Sequence, residues 1–275
     1  MQDVDIAHDP RANLVASSIP DHSNGINTSH DTTRGETPVA DPTVVLVHGS
    51  FTESAGWNNV ISELRRRSVS ALAIPNPLRG LAVDADSVRH AVDSVGGRVL
   101  LVGHSYGGAV ITEAAVASET VTGLVYVAGF APEQGETSLG LTEQFPGSTL
   151  GDALRSVPLG DGTHDLFVDR DLYPNQMAAD VPLDDARAAA ATQRPIHDTA
   201  LREPQPAPVS AWKTLPSWFI FGTEDRIIPA DGLRFMADRA GSMKTVEVDG
   251  ASHSVMISNP DAVADLIVDA LTHLT

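Results

Sequence analysis

Cysteine is absent from the 275-residue chain, and lysine occurs only at Lys213 and Lys244. The missing thiols remove disulfides, thiolate nucleophiles and cysteine-ligated zinc or iron-sulfur centres. Any nucleophile must therefore be oxygen or nitrogen. Basic residues are scarce as well: 18 Lys and Arg stand against 36 Asp and Glu, a formal charge of -18. Such a surface repels the phosphate backbone whose neutralisation drives nucleic-acid binding, so no nucleic acid partner is expected. No apolar run approaches the roughly 18 to 20 residues that span a bilayer. The longest, VTGLVYVAGFA from Val121, carries glycines and a threonine. The amino terminus, MQDVDIAHDPRANLVASS, has acidic residues where a signal peptide needs positive charge, and no apolar core follows. A cytoplasmic protein with no membrane span is the expectation.

What is present is an ordinary globular composition, 42% hydrophobic and 20% charged, which excludes collagen-like, coiled-coil and wholly disordered chains. Residues 1–42 are rich in Asp, Ser, Thr, Asn and His without periodicity. They read as a flexible acidic tail that cannot repay the entropy of ordering. Its histidines, His8, His22 and His30, fit no ligand spacing and take no role. From Thr43 onward, short apolar runs ended by Gly, Pro or Asn alternate with amphipathic stretches, the pattern of an α/β fold. Strands are predicted at 44–49, 69–76, 98–103, 121–129, 216–222 and 245–250. Helices are predicted near 54–67, 84–95, 106–118, 230–240 and 260–273. Most of the strands are apolar throughout, as parallel strands covered on both faces must be.

A six-stranded, mostly parallel sheet flanked by helices follows, with 43–275 as one domain. Its rhythm breaks at about 131–213, where a helix-like stretch, DDARAAAATQ, and a proline-rich exit mark an insertion expected to be helical and to cap the sheet. Within it Leu139, Leu141, Phe145, Leu154, Phe167, Tyr173 and Met177 either line a cavity or build the insertion's own small core.

The sharpest motif is VGHSYGG. Ser105 follows an apolar strand and precedes a helix, the strand-turn-helix setting of a G-x-S-x-G nucleophile elbow, in which Gly103 and Gly107 make room for a strained serine. A serine hydroxyl needs a base. Of the later histidines, His164 and His197 fall in the insertion and His273 at the carboxyl end. His253 lies just past an apolar strand, at the sheet edge where ligands sit. The imidazole needs a carboxylate, for which Asp225 after FIFGTE is the choice, with Glu224 and Asp249 as rivals. The oxyanion needs two amides: that of Tyr106, after the nucleophile, and one from HGSFTES, either Ser50 or its neighbour Phe51, which also borders the substrate. His48 and His104 each precede a motif residue and are read as orienting loops rather than moving protons.

The HGSF loop, GHSYGG elbow, NPLRG turn, GTEDRIIP acid loop and ASHSV histidine loop resemble the α/β-hydrolase family, and within it the small bacterial esterase-like serine hydrolases. The resemblance covers about five-sixths of the chain, and the order Ser105, Asp225, His253 agrees with it. It implies a carboxylesterase-like enzyme cleaving a small to medium carboxylic ester or lactone through an acyl-enzyme, with no cofactor and no metal. The oligomeric state is left open. Family branches with an aspartate nucleophile are excluded by Ser105. Hydroxynitrile lyases of the plant-esterase type place lysine after the histidine, whereas Ser254 stands here. Carbon-carbon bond hydrolases usually have a Gly-Pro-containing oxyanion loop, absent from HGSFTES. Perhydrolase or haloperoxidase-like chemistry on the same triad, lyase chemistry and a non-catalytic ligand-binding role remain as alternatives.

Overall fold

The computed structural model describes residues 42–274; residues 1–41, which hold nearly all of the expected tail and its three histidines, lie outside them. The main sheet is built from β1 (Thr43–Val47), β2 (Ala71–Ile74), β3 (Val99–His104), β4 (Val121–Val127), β8 (Ser217–Gly222) and β9 (Lys244–Val248). Its spatial order is β2-β1-β3-β4-β8-β9, and every neighbouring pair is parallel. All six residues of β3 and of β8 are buried, so successive side chains are covered on both faces. That is why these strands read as unbroken apolar runs. The edge strand β9, KTVEV, is exposed or half-buried throughout.

Helix α1 (Asn58–Arg66) packs on α10 (Pro260–Leu274), and α2 (Leu81–Val95) on α3 (Tyr106–Ala114). Helix α8 (Ala230–Arg239) packs on β8, and the single turn α9 (Val255–Ser258) leads into α10. No helix among the described residues is long and apolar enough to cross a membrane.

The six predicted strands and five main helices are all present, with shifted ends. Helix α2 starts at Leu81 rather than 84 because its first amides find a partner from far away in sequence. Leu81 and Ala82 donate to the Glu203 carboxylate at 2.6 and 3.3 Å, an anion set at a positive helix end. Helix α3 ends at Ala114 and tightens into a 3-10 turn over Ala115–Ala117.

Between β4 and β8 the chain holds four short helices: α4 (Ser138–Glu143), α5 (Leu150–Ala153), α6 (Tyr173–Met177) and α7 (Leu183–Thr192). It also holds an antiparallel sheet of β5 (Leu154–Pro158), β6 (His164–Val168) and β7 (Ile196–His197). The helical insertion expected from the sequence is thus joined by strands that it did not reveal. Four of the five residues of β5 are exposed, so no apolar alternation announces it.

Chain order in the main sheet decides where a site can form. From β1 the chain crosses to β2 on one side and then returns past β1 to β3 on the other. The loops after β1 and β3 therefore leave the sheet in opposite directions and open a crevice at its carboxyl edge, the place where open α/β sheets bind ligands.

Candidate active site

Ser105 closes β3 and opens α3 with φ 54° and ψ -126°, a conformation costing a non-glycine residue on the order of 1–3 kcal/mol. The surroundings over-determine it. Its N–H donates to Val127 O at 3.2 Å, and its carbonyl accepts from Gly108 and Phe130 at 2.9 and 3.1 Å. A methyl group on Gly103 would meet Gly107 O at 2.6 Å, and one on Gly107 would meet Val47 O at 2.6 Å. Both distances lie inside van der Waals contact. The sharp turn needs hydrogen at both places, as the motif implied.

Asp225 lies in the loop after β8, and His253 follows β9. His253 Nδ1–H donates to Asp225 Oδ2 at 2.7 Å, with both side chains fully buried. Asp225 Oδ1 accepts from the amides of Ile227 and Ile228 at 2.8 and 2.9 Å, so the carboxylate is fixed on both oxygens. His253 Nε2 is buried and has no hydrogen-bond partner among the described residues.

The rivals lie elsewhere. Glu224 is exposed, and Asp249 is exposed and accepts from Thr223 Oγ1. His164 and His197 flank Asp198 in the insertion, each 3.5 Å from one of its oxygens. His273 turns back on Asp269 of its own helix.

The loop after β1 is braced by a neutral histidine. His48 Nε2 accepts from the Asn76 amide at 3.0 Å, so its proton sits on Nδ1 and donates to Gly49 O at 2.9 Å. Asn76 Nδ2 in turn donates to His48 O. Burial pushes the His48 pKa down to about 4; a second ring proton would face the Asn76 N–H. Gly49 O also accepts from Thr52 Oγ1 at 3.0 Å, and Phe51, held at φ 59°, accepts at its carbonyl from the Tyr173 hydroxyl of the insertion. Gly49 passes so near the serine that an added methyl would lie 2.5 Å from Ser105 Cβ.

Tyr106 brings its main chain to the site and its side chain to another task. Its amide is in the first turn of α3, where no helical acceptor exists. Its hydroxyl donates to Asp84 Oδ2 at 2.9 Å. Asp84 also accepts from the Arg79 and Gly80 amides, and burial raises its pKa against those bonds.

Ser50, Phe51 and Ser105 share one cavity of about 390 Å³ with apolar groups such as Phe130, Leu150, Leu166 and Ile227. Of the insertion residues singled out in the sequence, Leu139, Phe145 and Leu154 line it. Leu141, Tyr173 and Met177 are instead core. Phe167 faces a separate shallow depression with Arg155 and Val157. Charged lining residues that the sequence did not flag are Glu143, Asp198 and Arg202. They carry no motif, because only the fold of the insertion brings them to the cavity.

The model of the alpha/beta hydrolase family matches residues 44–266. The chain belongs to that family. Among its relatives, an alpha-hydroxynitrile lyase of Arabidopsis thaliana is 25% identical over 251 residues, covering 80% of this chain and 93% of its own. An alpha/beta hydrolase of Aspergillus novofumigatus, nvfD, is 24% identical, covering 83% and 96%. These relatives are plant and fungal, and they do not carry the narrower likeness to small bacterial esterases. Among solved structures, polyneuridine aldehyde esterase superposes with a TM-score of 0.71 at 18% identity, covering 84% of this chain and 99% of that one. At that identity the likeness speaks for the fold.

Proposed function

We propose that this alpha/beta hydrolase is a carboxylesterase-like serine enzyme acting on a small to medium ester or lactone, with Ser105 as nucleophile, His253 as base and Asp225 as the acid that orients it. The observation that carries the reading is the buried 2.7 Å bond from His253 Nδ1 to Asp225. It leaves Nε2 as the one nitrogen able to accept a proton, and His104, the residue before the serine, is bonded to the same histidine loop. In the free enzyme Nε2 has no partner among the described residues; the reading requires Ser105 Oγ to reach it in the substrate complex, where such bonds tighten.

Ser105 Oγ then attacks the ester carbonyl while its proton passes to Nε2. The oxyanion is held by the Tyr106 amide and by that of Ser50 or Phe51, each such donor contributing about 10²–10³ in turnover. The imidazolium gives the proton to the departing alcohol. Water, deprotonated by His253, attacks the acyl-enzyme and releases the acid. The insertion at about 131–213 acts as a cap that excludes water and selects the substrate. A cavity of about 390 Å³ suits a ligand of modest size.

Replacing Ser105 with Ala is expected to cost about 10⁵–10⁶ in turnover of p-nitrophenyl esters, and to abolish labelling by a fluorophosphonate. Retention of a tenth of the wild-type rate would refute the mechanism. The lyase reading rests on the name of the Arabidopsis relative, and cleavage of an α-hydroxynitrile assayed beside the esters ranks the two.

A further inference from the structure

His104 is used by none of these steps, yet it is fully buried in direct contact with the proposed base. We propose that His104 is a positioning residue which locks the His253 loop to the strand carrying Ser105 and sets a neutral ring, rather than a second cation, against the base. The inference rests on the serine-hydrolase reading above.

Three observations carry it. His104 Nε2 lies 3.1 Å from the His253 carbonyl oxygen. A carbonyl only accepts, so Nε2 holds the proton, and the tautomer is set by geometry. Nδ1 is then a bare lone pair, buried with no partner among the described residues. The two rings pack with centroids 4.7 Å apart and planes at 50°, while Trp57 approaches the His104 ring edge-on with centroids at 6.4 Å. His253 is thereby fixed at its Nδ1 by Asp225, at its carbonyl by His104 and along its ring by the His104 imidazole. Its Nε2 is left without a partner among the described residues.

A plain core residue at 104 would pack without the donor. The hydrogen bond matters because it ties the end of β3 to the loop after β9, which are not neighbours in the sheet, and so sets the separation between Ser105 and His253. The neutrality matters because positive charge appears on His253 when it takes the seryl proton, and a second cation at this distance would oppose it. Burial holds the His104 pKa well below the ordinary imidazole value; the His253 and His48 rings add to the effect, and the hydrogen bond to the His253 carbonyl opposes it. The titratable groups around the ring are His253, with Asp225 behind it, and His48; the Trp57 ring carries no charge.

The test compares His104→Leu, which keeps the bulk and deletes the donor, with His104→Gln, whose terminal amide reaches the same carbonyl. Far-UV circular dichroism and thermal melting establish that each is folded. For His104→Leu, kcat for p-nitrophenyl esters is expected to fall about 10- to 100-fold, the scale set by a misplaced catalytic group. KM should stay within about threefold, since a misplaced base slows the chemical step rather than ground-state binding. His104→Gln should restore at least roughly a third of the lost logarithm of kcat. A folded His104→Leu within about threefold of wild type in kcat, or a His104→Gln no better than His104→Leu, overturns the proposal.

A measurement on the wild type covers the case where neither variant folds. In ¹⁵N-histidine spectra from about pH 5 to 8, the range in which an ordinary imidazole titrates, the His104 ring, assigned through its backbone, should stay in the Nε2–H form without titrating. Titration in that range, or an Nδ1–H form, likewise overturns it. Full activity of Ser105→Ala would instead defeat the serine-hydrolase reading, so the two failures are told apart.

Discussion

The substitution Asp225→Asn isolates the role of the buried carboxylate, and the structure fixes which way the new amide points. Asp225 Oδ1 accepts from two main-chain amides, Ile227 and Ile228, and those N–H groups demand an oxygen. The substituted side chain must therefore keep its carbonyl on them and turn its NH₂ towards His253 Nδ1. A donor there forces Nδ1 to accept, moving the imidazole proton to Nε2, the nitrogen that has to receive the seryl proton. The fold survives because both main-chain bonds survive, but the base is held in the wrong tautomer.

The same change in a trypsin-like triad costs about 10⁴ in kcat, equivalent to roughly 5.5 kcal/mol at about 1.36 kcal/mol per decade. A loss of about 10³–10⁴ in kcat, at nearly unchanged KM, is expected here. The assay is initial-rate hydrolysis of p-nitrophenyl esters, with thermal melting run beside it to show that stability is little altered. A loss under about tenfold would mean that Asp225 does not set the His253 tautomer, and the assignment of the acid would fail.

Other consequences are as concrete. Because the folded His48 pKa, about 4, lies below the ordinary value of 6.5, its stabilisation is fully present above pH 6.5 and is lost as pH falls towards 4. The gap corresponds to roughly 3 kcal/mol. Urea unfolding at about pH 7 and about pH 4.5, either side of most of that window, should show a smaller pH-dependent loss in His48→Gln than in the wild type, and equal losses would contradict the neutral brace. Tyr106→Phe removes one of the donors to buried Asp84 and should lower stability by about 1–3 kcal/mol, read by urea unfolding. Ester turnover should change less than about tenfold, because the main-chain amide remains. Gly49→Ala forces a methyl to 2.5 Å from Ser105 Cβ and 2.6 Å from His104 O. The resulting shift of the elbow or its facing loop should cost about 100-fold in kcat/KM, read by the same ester assay.

Wherever one residue's chemistry and its near neighbours suffice, the sequence alone was informative. Continuous apolar runs located most strands of the main sheet, because a strand buried on both faces has little place for polar residues. Glycine two residues either side of Ser105 marked the elbow, because the turn is local and excludes side chains. His253 and Asp225 were legible as candidates by their position just after strands, and the fold joins them by a 2.7 Å bond.

What depends on groups distant in sequence was hidden. Glu203 caps α2 from 122 residues beyond Leu81, Asn76 fixes the His48 tautomer from just past the end of the neighbouring strand β2, and His104 grips a carbonyl 149 residues later. The strands of the insertion were missed because β5 is solvated and short, and the cavity wall because Leu166, Asp198 and Arg202 meet only after the insertion folds. The chain thus declared its fold and its candidate reactive groups by local rules of burial and backbone sterics. Tertiary packing alone decided the tautomers, the braces and the shape of the cavity, since these arise from contacts that no local pattern encodes.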